Sequence, residues 1–284
     1  MNKVEGVVNQ IQSLPTLPQV VQKVITMVEN PGVSSAELAK TISMDASMVS
    51  KILKVVNSAY YGLPRKISTL TQATVILGFN TIKNIVLTAS VFTAFEGNGS
   101  NHRFSRKKFW EHSIGCAASC KVLSKRIRLG LPEEAFVAGL IHDIGKIVLD
   151  QFLHDHFEKI LDVVDSHETT FLSAEQKVIG VDHTQIGEWL CDKWRFPQQV
   201  QESVKFHHSP LSAQDHKKMV AIVHLGNAIS RLENMGYGGD NQPPEIISEC
   251  WEVLNIPEEE MGDLIVEIKN EFEKSSVFLE LLKG

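Results

Sequence analysis

Apolar residues recur at helical spacing along most of this chain. Val20, Val21, Val24, Ile25 and Val28 fall three and four positions apart and mark one buried helix face. Pro18 stands at the start of that run, where its missing N–H costs nothing, and Asn30-Pro31-Gly32 ends it. Ser34 or Ser35 caps a second helix running to Thr41, a third covers about 47–58 and a fourth about 71–95. Further helices are predicted near 105–128, 133–152, 154–167, 173–179, 183–194, 197–206 and 215–233. A loop rich in glycine and proline follows from Gly236 to Pro244. A last acidic amphipathic segment, with Leu264, Ile268 and Phe272 on its apolar side, packs back as a C-terminal helix. Strand-like alternation is absent over any useful length, so the expected class is all-α. Gly97-Asn98-Gly99-Ser100-Asn101 opposes helix continuation and sets a boundary between a helical domain over 1–96 and a second over 97–284.

Composition narrows the class. With 284 residues, 43% hydrophobic and 22% charged, the chain has the make-up of an ordinary globular protein. A net charge of −6 argues against a general nucleic-acid coat. The charge is uneven, however. Arg103, Arg106, Lys107, Lys108, Lys121, Lys125, Arg126 and Arg128 stand against the single acid Glu111, a segment able to attract phosphate or to form a solvated helix face. After Glu233 the balance reverses, as in Glu258-Glu259-Glu260. The four cysteines are too few for a disulfide framework and read as reduced thiols of a cytoplasmic protein. The N-terminus lacks the features of a signal peptide, and no apolar stretch approaches the roughly 20 residues that span a bilayer, so no membrane association is expected.

Two features stand out in the first hundred residues. Ser34 to Ser58 has the form of a helix-turn-helix, in which Ser47, Ser50, Lys51 and Lys54 would face DNA. Glu37 and Asp45 oppose phosphate approach there, which favours packing over DNA reading. Asn57-Ser58-Ala59-Tyr60-Tyr61-Gly62 ends a helix, and Gly62 permits a positive φ. Tyr60 and Tyr61 would bind a partner if exposed and pack if buried. Leu14-Pro15-Thr16-Leu17-Pro18, this tyrosine segment, Ile67 through Ala73 and Ile76-Leu77-Gly78 together resemble the N-terminal signature of the HDOD family, helical bacterial modules related to the HD phosphohydrolases. The resemblance covers roughly residues 10–230. It departs at Asp45-Ala46, where the family usually shows Asp-Pro.

The chemistry concentrates in Leu140-Ile141-His142-Asp143-Ile144-Gly145-Lys146. Histidine beside aspartate is costly in an apolar helix unless both are paired or bound, and a divalent metal removes that cost. Lys146, about one turn on, could meet a phosphate. His112, His183, His207, His208 and His224 are spread around this pair. The HD superfamily pattern implies His112, His142 and Asp143 as one ligand set and His183, His207 and His208 as a second, with Asn227 where the family has its last aspartate. An amide oxygen there can still ligate a metal, so Asn227 joins the candidate ligands, but it brings no negative charge. Ser209-Pro210-Leu211 replaces the Gly-Tyr-Pro of the cyclic-di-GMP phosphodiesterases, and Gly236-Tyr237-Gly238-Gly239 falls in the wrong place for it.

The resemblance therefore implies an HD-superfamily helical core with an additional N-terminal helical subdomain, serving as a signal-transduction output module. Its pocket would bind one or two divalent transition ions (iron, manganese, nickel or zinc) and a nucleotide or phosphate-containing ligand, with weak or no turnover, and would act through a separate signalling protein. The alternative is a metal-dependent phosphohydrolase in which the metal activates water, with Asp143 and Lys146 in catalytic roles. DNA binding through residues 34–58 stands third.

Overall fold

The computed structural model describes residues 3–9, 11, 16–95 and 103–283. In chain order the helices begin with α1 (Lys3–Val8), α2 (Gln19–Val28), α3 (Ser35–Ile42), α4 (Ala46–Val56), α5 (Leu70–Leu77) and α6 (Phe79–Ala94). They continue with α7 (Arg106–Arg126), α8 (Pro132–Ile141), α9 (Ile144–Phe152), α10 (His154–His167) and α11 (Phe171–Val178). The last are α12 (His183–Lys193), α13 (Gln198–Phe206), α14 (Lys217–Leu232), α15 (Glu249–Leu254) and α16 (Met261–Ser275). No strand occurs among the described residues, and the all-α class holds.

The chain divides into two compact units, Pro15–Glu96 with Asn270–Gly284, and Met1–Leu14 with Gly97–Lys269. The expected boundary at Gly97–Asn101 lies outside the described residues. The end of the chain differs from the expected 97–284 grouping. In the smaller unit Phe278 meets the ring of Tyr60 edge-on at 5.0 Å, and Glu280 pairs with Lys54 at 2.9 Å. Val277, Phe278 and Leu281 are buried, so the 3-10 turn Ser276–Lys283 completes a core that α2–α6 alone would leave open.

Local signals explain the helix ends of that unit. Ser34 and Glu37 form a capping box at the start of α3. Asp45 caps α4 by accepting from the N–H of Met48 at 3.0 Å, so Ala46 occupies the first helical position that a proline would also fit. Asn57 ties the following loop with its side chain, donating to Leu53 O and Ile67 O and accepting from Ile67 N. The helix expected over 71–95 is two, α5 and α6, bent by 120° at Gly78. Gly78 adopts φ 84°, ψ 162°, a conformation closed to residues with a Cβ. Among the described residues no single helix is long and apolar enough to cross a membrane; α5 and α6 pass that test only together, and α6 is buried along most of its length.

In the larger unit α7 is the axis, packed against α8 and α14. Its approach to both depends on glycine. A Cβ at Gly139 would stand 2.8 Å from Ala117 Cα, and one at Gly226 would stand 2.7 Å from Cys120 Sγ. The basic run on and before α7 is answered by acids of the same unit. Arg103 meets Asp162 and Asp165, Arg106 meets Asp150, Lys121 meets Glu133, and Arg126 meets Glu260 and Glu267.

Candidate metal centre

The helix expected over 133–152 is also two. It breaks at His142-Asp143, between α8 and α9, where Asp143 takes φ −99°, ψ 11°. Adjacent residues of a continuous helix point about 100° apart, so the break is what lets both side chains enter one site. Around them α7 contributes His112, the start of α12 His183, and the end of α13 His207 and His208. His112, His142, Asp143, His183 and His207 are all essentially without solvent exposure.

The second nitrogen of each of four rings is fixed. His142 Nδ1–H donates to Gly139 O at 2.7 Å and His207 Nδ1–H to Val204 O at 2.9 Å. His183 Nδ1–H donates to Glu175 at 2.6 Å. The Ser230 hydroxyl donates to Asn227 O, so its oxygen, 3.1 Å from His112, accepts that ring's Nδ1–H. In each ring Nε2 is left as the ligating atom, and all four face Asp143. His183 and His207 lie 3.1 and 3.5 Å from Oδ1, while His142 and His112 lie 3.4 and 3.7 Å from Oδ2.

Nε2 of His112, His142, His183, His207 and His208, Oδ1 of Asp143 and Oδ1 of Asn227 are buried with no hydrogen-bond partner. An orphaned buried polar atom costs about 1–3 kcal/mol, and wherever the ring is neutral its lone pair, aimed at a carboxylate, is repelled by it. A cation between them reverses both terms, and the donor set of imidazoles and one carboxylate suits a transition metal. The ligating atoms form two groups that share Asp143: Asp143 with His183, His207 and His208, and Asp143 with His112 and His142. The residues present fit a metal.

The buried rings differ in their electrostatics. Burial pulls His112 down to about 4 and His207 to about 3, so both are neutral near pH 7. Burial also disfavours a charged His183, but Glu175 and Asp143 outweigh it and raise that ring to about 9. Asp143 is held well below the ordinary carboxylate range; burial opposes this, and the neighbouring His142, Lys146 and His183 prevail.

Lys146, on the first turn of α9, donates to Asp143 Oδ2 at 2.7 Å and to Gly238 O at 2.8 Å. The Gly236-Tyr237-Gly238-Gly239 segment thus lies against the site. Gly236 has φ 82° and leaves no room for a Cβ against the backbone at His112; a Cβ on Gly238 would stand 3.3 Å from the His112 ring. A cavity of about 260 Å³ opens beside the histidines, walled by Lys146, Phe171, His183, His208, Asn227 and Arg231.

His224 contributes no ligand. Its Nδ1–H donates to His207 O, and its Nε2 accepts from Ile247 N–H. Glu175 went unrecognised in the sequence, as did Gly238. Tyr60 is buried and stacks edge-on with Tyr61 at 4.9 Å, while Tyr61 is half-buried.

The HDOD domain family model matches residues 14–210, more than two-thirds of the chain. The chain belongs to the HDOD family. Solved structures bear out the fold. An HDOD domain protein of unknown function from Geobacter sulfurreducens superposes with a TM-score of 0.81 at 24% identity, covering 96% of this chain and 97% of its own. A protein from Shewanella amazonensis SB2B described as a candidate phosphohydrolase gives 0.77 at 21% identity, covering 99% and 98%. A candidate signal transduction protein from Marinobacter aquaeolei VT8 gives 0.79 at 20% identity, covering all of this HDOD chain and 62% of its own. An uncharacterized protein of Treponema pallidum (strain Nichols) is 22% identical over 229 residues, which are 80% of this chain and 44% of that protein. The chain thus spans less than half the length of the curated relatives it matches.

Proposed function

We propose that this HDOD chain is a bacterial signal-transduction output module. A divalent transition metal (iron, manganese, nickel or zinc, as one or two ions) sits among His112, His142, Asp143, His183, His207 and His208, and turnover is weak or absent. One observation carries the reading: four imidazoles have Nδ1–H tied to other groups and Nε2 turned toward one buried carboxylate. Asn227 supports weak turnover, because an amide replaces the late carboxylate. The Marinobacter relative's description as a candidate signal transduction protein supports the setting. Four buried, reduced cysteines suit the cytoplasm. A nucleotide or other phosphate-containing ligand would enter the cavity beside Lys146, and the signal would pass to a separate protein, for which Tyr61 retains some exposure.

The test is elemental analysis of protein purified without chelator or affinity tag. A bound transition metal, lost in Asp143→Ala, is expected. Absence of metal, with no thermal shift on adding iron, manganese, nickel or zinc, would remove the reading.

A second reading, metal-dependent phosphohydrolysis, is favoured by the cavity's direct access to His183 and His208. The metal would supply an activated water and charge neutralisation; Lys146 would hold substrate charge. Turnover of a nucleotide or phosphodiester panel with manganese or iron, abolished by His142→Ala and Asp143→Ala together, would put this reading first. DNA binding ranks third: Lys51 donates to Thr93 Oγ1 at 2.7 Å and Lys54 pairs with Glu280. Salt-dependent retention on duplex DNA, lost in Lys51→Ala/Lys54→Ala, would raise it.

A further inference from the structure

The two halves of the metal centre are unequal. On the Oδ1 side of Asp143 stand His183 and His207, with His208 grouped beside them, and Oδ1 is not the oxygen that Lys146 holds. On the Oδ2 side stand two imidazoles, and Oδ2 already accepts from the Lys146 ammonium at 2.7 Å. That ammonium is buried and fixed by its second bond, to Gly238 O, which holds it against Oδ2 where it repels a neighbouring cation. Asn227, one turn before the Ser230 that holds His112, brings an amide and no compensating negative charge. Of the five imidazoles, His183 and His208 line the cavity and His112 and His142 do not, while Lys146 and Asn227 also face it.

We propose that this chain holds a single divalent cation, on the Oδ1 side of Asp143 among His183, His207 and His208, with Lys146 supplying the positive charge that a second ion would bring on the Oδ2 side. The inference rests on the metal reading above and adds which half is filled, by how many ions, and what excludes the second. The filled half contributes His183 and His208 to the cavity wall. His112 and His142 then serve as supports around Oδ2.

The experiment is metal-to-protein stoichiometry by elemental analysis after equilibration with manganese or zinc and gel filtration, with thermal unfolding recorded for each variant. Wild type should hold one ion per chain. His207→Ala and His208→Ala should lose it, and His112→Ala should keep it. Lys146→Met combined with Asn227→Asp should bring the ratio toward two. His208 is the safer of the two losses should His207→Ala fail to fold, because its side chain is less buried. Two ions in wild type, or an ion lost in His112→Ala and kept in His208→Ala, would overturn the inference and leave the metal reading intact. No ion in any variant would take down both.

Discussion

Glu175 and His183 form a buried pair, with Glu175 Oε2 2.6 Å from the imidazole Nδ1 and 3.1 Å from the His183 backbone N–H. Both bonds reach across eight residues of sequence, from α11 to the first turn of α12. Together they set the tautomer, aim Nε2 at Asp143, and lend the ring negative character. This is the carboxylate–histidine support that metal ligands commonly need.

Glu175→Gln should therefore weaken metal binding by about 10–100-fold while leaving the helical content unchanged. Titration with zinc or manganese against a competing chelator measures it. Unchanged affinity would reduce Glu175 to a packing group.

Metal uptake should release protons. With His183 raised to about 9, its Nε2 carries a proton at pH 7 that an ion must displace. His112 at about 4 and His207 at about 3 have none to give up. Affinity should rise with pH up to about 9 and fall below it, by about tenfold per unit for one coupled proton. Calorimetry in two buffers of different ionisation enthalpy should report about one proton released per ion at pH 7. No release would mean that His183 is not a ligand.

Much of the site could be read from the order of its residues together with the family resemblance. His112, His142, Asp143, His183, His207 and His208 are chemically conspicuous wherever they fall, and the structure gathers all six. Glu175 was invisible because one more glutamate on an amphipathic helix looks solvated; only the fold buries it. The breaks at Gly78 and at His142-Asp143 were hidden for another reason. Apolar periodicity runs through both, and backbone geometry, rather than composition, decides where the helix stops. Gly236–Gly239 was legible as a loop, but its contact with His112 and Lys146 is a long-range relationship that no local pattern encodes. The return of the chain's end to Tyr60 is long-range in the same sense.

The loop over the cavity is anchored by one carboxylate. Asp240 accepts from Arg231 Nη2 at 2.6 Å and from Gln242 N and Phe171 N at 3.0 and 2.9 Å. Asp240→Ala should cost about 3 kcal/mol, the low end for a buried pair because Arg231 is partly exposed. Hydrogen exchange of residues 236–245 should quicken, while α7 and α14 stay protected. Unchanged exchange would mean that the loop is held by its glycine contacts alone.

The close approach of α7 to α8 and α14 should tolerate no methyl group. Gly139→Ala and Gly226→Ala should each destabilise by about 1–3 kcal/mol, since the displaced atoms are backbone or a buried thiol. Denaturant unfolding measures both. A neutral result at Gly139 would contradict the packing described for Ala117.

The most direct measurement is an anomalous difference map from crystals grown with manganese or zinc and measured at the metal edge. The expected result is a peak about 2.1 Å from Nε2 of His183, His207 and His208 and within bonding distance of Asp143 Oδ1. A map with no peak among these groups, and with metal only at exposed histidines such as His154 or His167, would contradict it.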